Sequence, residues 1–67
     1  MPVYWFLAFL WRRAEADTWL PVEAVTKSEH PLDYMARARQ INPENAFCLT
    51  FFCEIPAEVY ERHSGRV

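Results

Sequence analysis

The first regularity along the chain has a period of two. Val3, Trp5, Leu7, Phe9 and Trp11 alternate with Tyr4, Phe6, Ala8, Leu10 and Arg12, which is the pattern of a strand. Both halves of this alternation are apolar, with one basic residue at the end. Such a strand is predicted to lie inside a sheet with both its faces covered. Residues 14–18 are a polar connection, and residues 19–26 (WLPVEAVT) resume a weaker strand pattern. Pro21 cannot donate to a ladder, and Glu23 and Lys27 add charge, so this segment is predicted as an edge strand.

The period then changes. Ser28-Glu29-His30-Pro31 reads as a helix start, because a residue before proline is pushed out of the helical region and proline fits the first turn. Asp33 there favours the positive end of the helix dipole. The helix runs to about Asn42, where Pro43 stops it. At 100° per residue Leu32, Tyr34, Met35, Ala38 and Ile41 share a broad apolar arc, opposite Asp33, Arg37 and Gln40. Arg39 is the misfit, projecting between Met35 and Leu32.

Asn42-Pro43-Glu44-Asn45 is a turn by composition. Residues 46–55 return to strand, with Phe47, Leu49, Phe51 and Cys53 expected on one side and Ala46, Cys48, Thr50 and Phe52 on the other. Pro56 and Glu58 open a short last helix. Val59, Tyr60 and His63 are its expected contact residues and Gly65 its expected C-cap.

The order β-β-α-β-α, read with a right-handed crossover, predicts an α+β fold. It is a three-stranded antiparallel or mixed sheet of order 2-1-3, with one main helix on one face and a short C-terminal helix. No repeat or linker divides the chain, so residues 1–67 are expected to form a single small domain.

Composition sharpens this. Hydrophobic residues make up 52% of 67 residues and aromatics 16%, against one glycine. Disordered and collagen-like chains lack this apolar content, and a glycine-rich phosphate loop is ruled out. The second sheet face has only a two-turn helix to hide Trp, Tyr and Phe side chains. A monomer would therefore expose more apolar surface than soluble monomers tolerate, and a homo-oligomer, dimer or higher, is the expected remedy.

The net charge of −2 runs against nucleic-acid binding, which draws its affinity from phosphate neutralisation. Six of the seven bases are Arg, the residue suited to bidentate contacts with carboxylate or phosphate. The apolar run over residues 2–11 is too short to span a bilayer. It also lacks a preceding Lys or Arg, while Arg12 and Arg13 occupy the place of a neutral cleavage region, so a cytoplasmic location is expected. Cys48 and Cys53, five apart, are expected on opposite strand faces, about 16 Å apart along the chain. A disulfide needs Cα atoms within about 7 Å, so both are expected as free thiols.

Candidate chemistry is sparse. Cys48, Cys53, His30 and His63 lack the paired spacing of a zinc site, and no metal or cofactor is expected. Ser28 near His30 fits helix capping better than nucleophilic catalysis. Glu58 and Glu61 form a solvated helix face with Arg62. These residues suggest no enzyme.

The expected function is a small non-enzymatic binding protein acting by protein–protein interaction. Inhibitors, adaptors and accessory factors of this size are common among phage and mobile-element products. The candidate binding residues are Trp5, Trp11, Arg13, Trp19, Tyr34, Arg37 and Arg39. Two other readings use the same side chains. Aromatics and guanidinium groups at a subunit interface could hold a small nucleotide-like anion. Alternatively, the aromatics of the first strand could stack the bases of single-stranded nucleic acid.

Overall fold

The computed structural model describes residues 2–64. Element order is β1 (Tyr4–Arg12), β2 (Leu20–Lys27), α1 (Pro31–Ile41), β3 (Ala46–Ile55) and α2 (Ala57–Ser64). The strands form one sheet of order β2-β1-β3, with β1 antiparallel to both neighbours. The sheet is thus wholly antiparallel: β2 and β3 run the same way but do not touch, which settles the choice between antiparallel and mixed. The expected C-cap, Gly65, lies outside the described residues.

Local chemistry accounts for the joints. Thr26, buried, donates its hydroxyl to the carbonyl of Glu29 at 2.6 Å. Ser28 turns the chain through a left-handed conformation (φ 63°) and donates its N–H to Val3 O at 2.7 Å. His30 rather than Ser28 is the N-cap of α1. It stays extended, as a residue before proline must, and its Nδ1 accepts from Leu32 N at 3.1 Å. At the other end the Asn42 N–H returns to Ala38 O.

Pro31, Tyr34, Met35 and Ala38, at i, i+3, i+4 and i+7, are the turned-in positions of α1. The arc expected from the sequence is too wide: Leu32 is 59% exposed and Ile41 65%. They lie about 100° and 80° to either side of Pro31, and a helix resting on a flat sheet touches it only along a narrow line. The core is correspondingly small. Leu7, Phe9 and Met35 form the buried hydrophobic cluster, with Pro31 also buried, ringed by half-buried Trp11, Val22, Ala24, Tyr34, Phe47 and Leu49.

The second correction concerns β3. Ala8 pairs with Phe51 but Phe9 pairs with Leu49, so Thr50 is an extra residue in a β-bulge. Its hydroxyl donates to Ala8 O at 3.0 Å. Directly paired residues share a face, so the alternation resets at the bulge. Phe47 and Leu49 lie under α1, but beyond the bulge it is Phe52 that joins them. Phe51 and Cys53 turn to the other face, against the expectation. Cys48, paired with Leu10, and Cys53, paired with Phe6, therefore share that face, and both are free thiols.

The helices cover the sheet diagonally. α1 packs on β1 and β3, while α2 packs on β1 and β2 of the opposite face. Tyr60 packs at a tilt against Tyr4, 4.8 Å between ring centres, and His63 approaches Phe6 at 6.3 Å. No helix among the described residues is long and apolar enough to cross a membrane.

Leu7 is fully buried at the centre of this arrangement. Leu7→Ala is expected to remove about 2–5 kcal/mol, most of what a core of this size supplies. Urea denaturation followed by circular dichroism checks this, and a loss below about 1 kcal/mol would show that the core does not rest on this side chain.

Candidate binding surfaces

The Trp11 end of the sheet carries two adjoining clefts. One, of about 330 Å³, is lined by Phe9, Trp11, Val22, Tyr34, Ala38, Asn42, Asn45 and Phe47. Its position follows from the diagonal helix: α1 leans toward β3 and leaves the groove above β2 open. Aromatic rings form its floor, with Phe9 set 6.0 Å from Tyr34 and 6.3 Å from Phe47. Asn42, the C-cap of α1, and Asn45, in the following turn, add amides that both donate and accept. The other cleft, of about 580 Å³, shares Trp11 and Asn45 and adds Arg13, Glu15 and Glu44 among its lining residues.

The seven residues expected from the sequence do not converge. Trp11 and Tyr34 share one cleft, and Arg13 lines its neighbour. Trp5 sits near the opposite end of β1, 4.8 Å from His30 and 6.0 Å from Phe52. Trp19 belongs to the β1–β2 connection, where the Arg12 guanidinium lies 5.2 Å from its ring centre. That same guanidinium donates through Nη1 to Ala16 O at 3.2 Å, so Arg12 and Trp19 together brace the turn.

The arginines are unequally free. Arg37 grips Glu29 through two parallel bonds, Nη2 to Oε1 at 2.8 Å and Nε to Oε2 at 3.1 Å. Its pKa rises above the usual arginine value, first through that hydrogen bond and then through the carboxylate's charge. It also lies 5.4 Å from the Tyr34 ring centre. An arginine so held is occupied with bracing the α1 approach rather than poised for an anion. Arg39 reaches the β3 backbone, donating to Phe47 O at a long 3.5 Å in an exposed position. Arg13 is exposed beside the second cleft.

Sequence reasoning missed Asn42, Asn45, Phe47 and His30. The two asparagines read as turn residues, and a turn composition says nothing about which cleft the turn will border. His30 carried a signal, since it precedes a proline at a helix start, but not one that pointed to Trp5.

Compared with family models, with curated proteins and with solved structures, the chain shows no significant match to any of them.

Arg39 makes a single long bond from an exposed position. Arg39→Ala is expected to change stability by no more than about 0.5 kcal/mol, measured by thermal denaturation. A larger loss would mean that its stem packs on the β3 side of α1 as structure rather than standing free for a partner.

Proposed function

We propose that this chain is a small non-enzymatic binding protein that self-associates along β3 and works by protein–protein interaction. The observation that carries this reading is the contrast between the two sheet edges. β2 is protected: Pro21 has no N–H to offer, and Glu23 and Lys27 put charges on the strand. β3 runs ten residues with no proline and one charge, Glu54, near its end. Its outer edge is unpaired.

The side chains along that edge favour the same conclusion. Phe51, 55% exposed, stands on the α2 face and Phe52, 39% exposed, on the α1 face. Leu32 lies seven residues before Arg39 and so on the same flank of α1, the flank from which Arg39 reaches β3. Apolar groups thus border one strand edge on both faces, beside a small core centred on Leu7, Phe9 and Met35.

A second copy is the fitting occupant. A twofold axis normal to the sheet pairs β3 with its own copy antiparallel and extends the sheet to six strands. Such pairing opposes like residues near the axis, which a neutral stretch such as Ala46–Cys53 tolerates and the charged β2 does not. The assembly joins the apolar borders of two copies into one surface for a partner protein, in the manner of an inhibitor or adaptor.

A second reading has one observation in its favour, the Trp11–Tyr34–Phe47 cleft with its two asparagines. A planar, nucleotide-like ligand matches such a floor, although among the described residues only Arg13 stands nearby with its guanidinium uncommitted. Base stacking on β1 draws less support, because helices lie over both its faces.

Light scattering at tens of micromolar is expected to give a dimer or higher species. Phe51→Glu is expected to convert it to monomer with an unchanged circular dichroism spectrum, while Leu20→Glu at the other edge leaves the assembly intact. A strictly monomeric wild-type protein overturns the proposal. Native mass spectrometry of the same sample checks the second reading, which falls if no small molecule accompanies the chain.

A further inference from the structure

Where the start of β1, the turn before α1 and the end of β3 meet, a cleft of about 430 Å³ is lined by Val3, Trp5, Ser28, His30, Asp33 and Glu54. Its chemistry is one-sided: two aromatic rings and two carboxylates, with no basic side chain other than His30 among the described lining residues. Neither Asp33 nor Glu54 has an ion-pair partner among the described residues, where Glu29 is the carboxylate that Arg37 takes.

The aromatic part is held in place. Trp5 packs against His30 at 4.8 Å and Phe52 at 6.0 Å, and His30 and Phe52 meet edge-on at 5.4 Å. His30 is fixed in turn by its capping bond, in which Nδ1 accepts the Leu32 N–H. Held there, the imidazole adds aromatic surface beside Trp5.

An indole face attracts cations through its quadrupole, and a carboxylate attracts them through its charge. A hard metal ion would want several converging oxygens and would gain nothing from the rings. An ammonium centre wrapped in methyl groups uses both halves of the site, placing apolar contact on Trp5 and charge between Asp33 and Glu54. We propose that this cleft binds an alkylated ammonium group. The headgroup is common to free choline-type amines and to methylated lysine side chains. The site takes Glu54 from the end of β3, beyond the neutral Ala46–Cys53 stretch of the proposed pairing edge, and its test reads a different signal from the oligomeric state.

The test follows the indole N–H resonances of the intact protein by two-dimensional NMR. The probes are choline and the amide of N-acetyl-trimethyllysine, titrated against sodium chloride at matched ionic strength. A saturable shift of the Trp5 signal in the millimolar range is expected, with Trp11 and Trp19 unmoved. Whichever probe binds tighter names the source of the headgroup. Glu54→Gln is expected to weaken binding by about fivefold and to leave the Trp11 and Trp19 signals in place. Asp33→Asn is expected to act likewise, but Glu54 lies outside α1 and so carries the test if that variant disturbs the helix. The neutral analogue, with tert-butyl in place of trimethylammonium, is expected to bind at least about fivefold more weakly than choline. Equal binding of the neutral analogue, unchanged affinity in Glu54→Gln, or no response of Trp5 to either cation overturns the proposal.

Discussion

β1 is paired along both edges, and every other element is placed by reference to it. Its ladders to β2 and β3 run nearly its whole length, which satisfies backbone groups that a buried strand could not leave unpaired. Its side chains then divide between two faces, each of which needs a cover. Leu7 and Phe9 meet Met35 under α1, while Tyr4 and Phe6 meet α2. Remove the pairing on either side and the core loses its floor.

Two short helices cannot roof two faces of a three-stranded sheet. Each settles diagonally over two strands, and the corners they leave bare hold the surfaces most suited to binding. On the α1 face the bare corner lies above β2 and becomes the Trp11–Tyr34 cleft. On the α2 face it lies along β3, where Phe51 and Cys48 are exposed. Incomplete cover thus links the small core to the proposed assembly. The same shortage of helix produces both.

Electrostatics divides the surface in a complementary way. The Glu29–Arg37 pair and the Arg12–Trp19 contact use two guanidinium groups as braces for turns, where their flat geometry suits fixed contacts. Among the described residues the carboxylates of Asp33 and Glu54 have no such partners, and they lie beside a packed aromatic group. The arginines that a composition count assigns to anion binding are in part structural, and the acids of the Trp5 cleft are among the charges without an ion-pair partner among the described residues.

Local rules read one element at a time were enough for much of the fold. The two-residue alternation of Tyr4–Arg12, the proline in the second strand and the His30-Pro31 helix start identified the elements, and the apolarity of both strand faces placed β1 centrally. These features depend on neighbours in the chain, so the sequence displays them. The bulge at Thr50 depends on how Ala8 and Phe9 align with a strand about 40 residues away. No local pattern announces it, yet it exchanges the faces of Phe51 and Phe52 and brings Cys48 and Cys53 to one side. The exposure of Leu32 and Ile41, the asparagines beside Trp11, and the meeting of Trp5 with His30 are likewise set by the resting angle of α1. Residue order alone determined which segments form strands and helices and in what topology. Only long-range packing decided which side chains face one another, because that depends on the register between elements rather than on the period within each.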